Sequence, residues 1–179
     1  MDVKQKFPQR KTPRAQWIEY NSGIYFITIC THNFVHYFGE ITNEEMHLTD
    51  IGKYLIQQLE ESSQHHPYIE VLQYVVMPNH FHAIVEVKEV NSMSDATCCV
   101  PTCEERVEKG IRSNRTLLSI FVGALKSSVT RYAHKNDIIF KWQARYHDHL
   151  IRGVEDCNNI SQYIENNILN YWCPIKIKT

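Results

Sequence analysis

A chain of 179 residues is long enough for one filled core and too short for two ordinary domains. Hydrophobic residues at 43% and charged residues at 22% fit a globular protein and exclude a disordered one. The formal charge of −1 excludes a uniformly basic nucleic-acid coat, no apolar run is long enough to span a bilayer, and the polar, charged start is unlike a signal peptide, so a cytoplasmic location is expected.

The small net charge conceals an asymmetry. Lys4, Lys6, Arg10, Lys11 and Arg14 crowd the start, and Arg112, Arg115, Lys126, Arg131, Lys135, Lys141, Arg145 and Arg152 dominate the later part, while the acids concentrate between Glu40 and Glu108. A basic surface turned towards one partner fits that distribution. The cysteines, Cys30, Cys98, Cys99, Cys103, Cys157 and Cys173, are scattered and in a reducing compartment are most simply free thiols. Cys98, Cys99 and Cys103 lie close together but lack the second spaced pair that a zinc site requires.

Residues 1–22 are polar and basic, with Pro8 and Pro13, and read either as an arm reaching a polyanion or as a frayed tail. From Ile24 to Thr31 the density of β-branched and aromatic residues predicts a central strand. Extended pieces follow at Tyr37–Glu40 and Met46–Leu48 around a turn at Thr42-Asn43-Glu44. Thr49 or Asp50 then caps a helix whose stripe, Ile51, Leu55, Gln58 and Leu59, runs to about Gln64, where His65-His66-Pro67 ends it.

The stretch Val75-Val76-Met77-Pro78-Asn79-His80-Phe81-His82-Ala83-Ile84-Val85 organises the rest. Pro-Asn between two β-rich runs predicts an antiparallel hairpin with a tight turn. Side chains alternate along a strand, so His80, His82, Ile84 and Glu86 share one face, and Phe81, Ala83, Val85 and Val87 face the core. Two neutral imidazoles held in this way form a two-nitrogen site for a divalent cation, or simply a pair of surface histidines.

Residues from about 88 to 114 are polar and without period, an uncommon length for a loop inside a domain. From Thr116 the pattern Leu117, Leu118, Phe121, Leu125, Val129, Tyr132 predicts an amphipathic helix with Lys126 and Arg131 on its wet side. A short β-like piece, Ile138–Trp142, runs on towards Arg145-Tyr146-His147-Asp148-His149, and Gly153 punctuates. Val154, Cys157, Ile160, Ile164 and Ile168 then mark a last helix. This order predicts an α+β fold, a ferredoxin-like antiparallel sheet with helices packed mainly on one face.

Tyr163 and Asn167 sit one helical turn apart. If that helix packs beside the face carrying His80 and His82, the Asn167 carbonyl oxygen supplies a third metal ligand and Tyr163 lies next to the ion. An ion held by two imidazoles and an amide keeps positions open for phosphate oxygens. Attack by the phenol gives a phosphotyrosine ester, whose bond energy is retained for rejoining. The plainer roles are a tyrosine at the edge of an apolar stripe and an asparagine cap. Trp142, Arg145, Tyr146, His147, Asp148 and His149 offer faces and donors suited to splayed bases and phosphates, or form a strand edge of mixed exposure. His147 or His149 are also candidates for proton carriers or extra ligands.

The run MPNHFHAIV, preceded by GIYFITICTHN and followed by WQARYHDHLIR and QYIENN, resembles the REP-associated tyrosine transposases, relatives of the single-tyrosine insertion-sequence transposases within the HUH nuclease superfamily. The resemblance covers Gly23 to Trp172 apart from the polar insert. It implies an HUH nuclease fold over 23–179, His80 and His82 as metal ligands, Tyr163 as nucleophile, and Asn167 completing a Mg²⁺ or Mn²⁺ site. It further implies a single-stranded DNA substrate cut near a hairpin through a 5′-phosphotyrosine, by a monomer or a homodimer. The basic arm, with Arg10, Lys11 and Arg14, and the region of Trp142, Arg145, Tyr146, His149 and Arg152, together with Lys126, would help hold that DNA. Relatives commonly carry Asn-Pro where this chain has Asn167-Ile168, which leaves the helix able to run on towards Tyr171. Two other functions fit the same residues: a domesticated protein that grips hairpins without cutting, and a metal-dependent phosphodiesterase in which water attacks.

Overall fold

In β1 (Gly23–Cys30), Tyr25, Ile27 and Ile29 are fully buried and alternate with half-buried residues, as a strand with one face on the core requires. The structure is a computed structural model that describes residues 22–89 and 116–172. The expected arm with Arg10, Lys11 and Arg14, and nearly all of the expected insert with Cys98, Cys99 and Cys103, lie outside the described residues.

After β1, a separate hairpin of β2 (Gly39–Thr42) and β3 (Glu45–Leu48) turns at Asn43-Glu44, both with positive φ. Thr49 caps α1 (Asp50–Glu60), its hydroxyl oxygen accepting from the Gly52 amide at 3.2 Å. The helix breaks at Glu61, and α2 (Ser62–His65) completes the stretch. The predicted hairpin follows as β4 (Ile69–Met77) and β5 (His80–Val87), with Pro78-Asn79 as its turn. Thr116 caps α3 (Leu117–Lys135) in the same manner as Thr49. The chain then forms β6 (His147–Leu150), α4 (Gly153–Glu165) and α5 (Asn167–Trp172).

The main sheet has the order β4-β5-β1-β6 and every pairing in it is antiparallel. With the β2–β3 hairpin set aside, the chain runs β-α-β-β-α-β, the predicted ferredoxin-like arrangement. Ile51, Leu55 and Leu59 of α1 and Leu118, Phe121, Leu125 and Val129 of α3 share one apolar core with Tyr25, Ile27, Ile29, Phe81, Ala83 and Val85. The opposite face, bearing His80 and His82, receives α4, which packs on β4 and β5. Among the described residues no helix is long and apolar enough to cross a membrane.

Three local expectations are corrected. Ile138–Trp142 forms no strand: the Ile138 amide bonds back to the Ala133 carbonyl at the end of α3, Ile139 is 88% exposed, and only Trp142 bridges to Thr31. The fourth strand is β6, a few residues later, because these residues lie alongside the free edge of β1. Val154, expected in the apolar stripe of α4, is 77% exposed, and Ile164 is the one fully buried residue of that helix. The helix also does not run straight from Tyr163 to Asn167. Asn166 leaves helical geometry at φ −88° and ψ 2°, and Asn167 opens α5.

Candidate active site

The pairing of β1 with β5 sets Cys30 opposite His80, Thr28 opposite His82 and Phe26 opposite Ile84. On the other side of β1, Thr28 pairs with His147 and Phe26 with His149. Directly paired residues point to the same face, so His80, His82, Thr28, Phe26, His147 and His149 line one surface. The histidines predicted to share a face do so, but that face is not open: His82 is only 5% exposed. Phe26 stacks on its ring with centroids 5.2 Å apart and planes 17° apart, and Tyr163 of α4 meets the ring edge-on at 5.2 Å.

Each imidazole is oriented through its Nδ1. His82 Nδ1 lies 2.8 Å from the Thr28 hydroxyl, and His80 Nδ1 lies 2.6 Å from the Asn79 side-chain oxygen. An amide oxygen only accepts, so His80 carries its proton on Nδ1 and keeps the lone pair on Nε2. In the same tautomer His82 would donate to the Thr28 oxygen and keep the lone pair on its Nε2. The Tyr163 hydroxyl lies 3.4 Å from that nitrogen, within one chain. Tyr163 is 47% exposed and its ring also stands edge-on to Phe26 at 6.1 Å. The phenol is thus held by aromatic contacts on one side and reachable from solvent on the other.

Burial pushes the His82 pKa down to about 4, and the proximity of His80 and His147 adds to the effect; burial lowers His80 as well. Both rings therefore stay neutral at physiological pH, and each neutral imidazole has one ring nitrogen with a free lone pair. Among the described residues no three His, Cys, Asp or Glu side chains converge, so a third protein donor among them is an amide or a hydroxyl. Asn167, at the start of α5, is 7% exposed. An amide oxygen and two neutral imidazoles are donor types that a divalent cation accepts.

The residues expected to hold DNA divide into two groups. Lys126 is not a free surface cation: its ammonium donates to the carbonyl oxygens of Gln143 at 2.8 Å and Arg145 at 3.3 Å and lies 5.7 Å from the centre of the Trp142 ring. Trp142 packs against Phe38, Phe81 and Phe140, and its indole N–H donates to the Lys126 carbonyl, so this pair ties α3 to the segment before β6. Tyr146 is half-buried against the core. Arg145 and Arg152 are exposed, and His149 is exposed with Nε2 3.0 Å from an Asp156 carboxylate oxygen that also accepts from the Arg152 amide at 2.9 Å. Sequence reasoning missed Thr28, Phe26 and Asn79 as the groups that orient the histidines. The signal for Thr28 was present, a polar residue two positions from Phe26 on the wet face of an otherwise apolar strand.

No family model matches the chain. The fold is that of the REP-associated tyrosine transposases: a solved structure of such a transposase bound to a REP hairpin aligns with 90% of this chain and 74% of its own, at a TM-score of 0.54 and 18% identity. The chain belongs to the same family as an uncharacterized protein of Haemophilus influenzae, with which it is 34% identical over 160 residues, 88% of this chain and 87% of the other.

Proposed function

We propose that this protein cleaves and rejoins single-stranded DNA beside hairpins, with Tyr163 as nucleophile and His80, His82 and Asn167 as ligands of a Mg²⁺ or Mn²⁺ ion. The observation that carries the reading is the approach of the Tyr163 hydroxyl to His82 Nε2 at 3.4 Å, bringing a phenol from near the end of the chain to paired imidazoles from its middle. Two nitrogen donors favour Mn²⁺ over Mg²⁺ in such a set. When bound, the ion would polarise the scissile phosphate and neutralise the charge that builds on it during in-line attack.

The chain's own groups account for the rest. Phe26 and the edge-on contact with His82 hold the Tyr163 ring, so the hydroxyl approaches from a fixed direction. As the Tyr163 oxygen bonds to phosphorus it loses its proton, the bond from phosphorus to the 3′ oxygen breaks, and that oxygen takes up a proton to leave as a free hydroxyl. The DNA 5′ end remains on the protein as a phosphotyrosine ester. Attack by a 3′ hydroxyl on that ester reverses the exchange without consuming water, so strands are transferred rather than hydrolysed. Arg145, Arg152 and His149, exposed at or next to the β6 edge, are suited to the phosphates of the flanking strand. The hairpin in the structurally similar transposase supports a hairpin substrate here.

The test is a covalent one. Labelled single-stranded oligonucleotides with hairpins, incubated with protein and Mn²⁺, should give a protein–DNA adduct that is absent from Tyr163→Phe and from metal-free samples. Cleavage without an adduct would replace the tyrosine mechanism with water attack. Tight, salt-dependent binding without metal or cleavage would leave a hairpin-binding protein.

A further inference from the structure

The pairing of β4 with β5 is irregular at one place. Val71 lies opposite Val85 and Gln73 opposite Ile84, so Leu72 is an extra residue in β4. Ile69 and Val71 face the core with Val87 and Val85. With strict alternation Gln73 would follow them inward, but the bulge turns it to the face that carries Ile84, His82 and α4.

There Gln73 meets the helix that carries Tyr163. Its side-chain oxygen accepts from the Ser161 hydroxyl at 2.6 Å, and its side-chain nitrogen donates to Glu165 at 3.5 Å. The carboxylate requires a donor, which fixes the orientation of the amide. Ser161 and Glu165 flank Tyr163 by two residues on each side and lie one turn apart. The helix needs such a contact, because Ile164 is its one fully buried residue and apolar packing alone holds it weakly.

We infer that Gln73, turned outward by the bulge at Leu72, is a positioning residue that sets the height and rotation of α4 and so the seat of the Tyr163 hydroxyl at His82. The inference deepens the proposed function, resting on Tyr163 as the nucleophile of that reading. Gln73 touches no reacting atom. Displacing a nucleophile by an ångström costs up to about 100-fold in rate, whereas a half-exposed polar contact contributes little to DNA affinity.

The experiment combines three readouts on the full chain: single-turnover adduct formation with labelled hairpin oligonucleotides and Mn²⁺, hairpin affinity by anisotropy, and the ¹⁹F resonance of 3-fluorotyrosine placed at position 163. Gln73→Leu should slow adduct formation about 10- to 100-fold, leave hairpin affinity unchanged and move the ¹⁹F resonance towards that of a solvated ring. Ser161→Ala should do the same more weakly and serves where Gln73→Leu fails to fold. Gln73→Glu alone sets two carboxylates against each other and should be as slow as Gln73→Leu. Adding Glu165→Gln restores a donor–acceptor pair with the roles exchanged and should recover the rate. An unchanged rate and resonance in Gln73→Leu, or a double variant no faster than Gln73→Glu, overturns the inference. If the wild type forms no adduct, the proposed function fails, and the ¹⁹F resonance alone decides whether Gln73 seats the ring.

Discussion

Replacing Thr28 with valine keeps the shape and strand preference of the side chain and exchanges one group, the hydroxyl 2.8 Å from His82 Nδ1, for a methyl. His82 is buried under Phe26 and Tyr163, so its Nδ1, donor or acceptor, would be left without a partner in a site that water does not readily reach. Leaving a buried polar group unsatisfied costs about 1–3 kcal/mol, which should appear in urea denaturation of the metal-free protein. The same loss leaves the ring free to turn and to carry its proton on Nε2, where under the proposed function a metal ion would bind. Removing the orienting partner of a ligating histidine weakens metal affinity about 10- to 100-fold, an energy of the same size as the stability loss. Isothermal titration with Mn²⁺ measures the second effect directly. An affinity within about twofold of wild type, in a variant destabilised as expected, would show that Thr28 does not orient a metal ligand and that His82 is not one.

The low pKa of His82 makes stability depend on pH in a stated direction. Its folded value of about 4 lies below the ordinary 6.5, so between these values the unfolded chain takes up a proton that the folded chain refuses. Stability should be full above pH 6.5, fall as the pH drops towards 4, and level off below that, with a loss of order 3 kcal/mol at most from this residue. Urea melts of His82→Gln should show a flatter profile across that window, and an unchanged slope would place the dependence on other groups, among them His80 and His66, whose values burial also lowers. Two glycines test the packing of the helices. At Gly123 in α3 an added Cβ meets nothing within 4 Å, and Gly123→Ala should stabilise the protein by about 1 kcal/mol through helix propensity. At Gly52 in α1 the same atom runs into the Phe38 carbonyl, so Gly52→Ala should destabilise despite the same propensity gain; equal signs for the two variants in thermal unfolding would refute the close approach of α1 to the chain before β2.

Most of the fold was legible because its signals are local. The alternation in Gly23–Cys30, the Pro78-Asn79 turn and the capping residues Thr49 and Thr116 each act through neighbours a few residues away. The misplaced fourth strand shows where such signals fail. Ile138–Trp142 has the stronger β-forming composition, yet the sheet takes His147–Leu150, because the end of α3 and the anchoring of Trp142 on Lys126 decide which residues reach the free edge of β1. The setting of Lys126 escaped the pattern for a related reason. Its helical position is on the polar side, but the carbonyls that bind its ammonium come from a segment that the helical pattern does not describe.

By itself the sequence determined which residues carry the candidate chemistry: alternation put His80 and His82 on one face, and motif order named Tyr163 and Asn167. Only the tertiary structure decided that the Tyr163 phenol meets His82 within one chain, that Thr28 stands at the His82 ring, and that the bulge at Leu72 turns Gln73 towards the helix of Tyr163. The division has a physical cause. Facing and turning depend on backbone geometry over a few residues, whereas these side-chain contacts join residues 54 to 92 positions apart and exist only once the sheet has formed and the helix has packed on it.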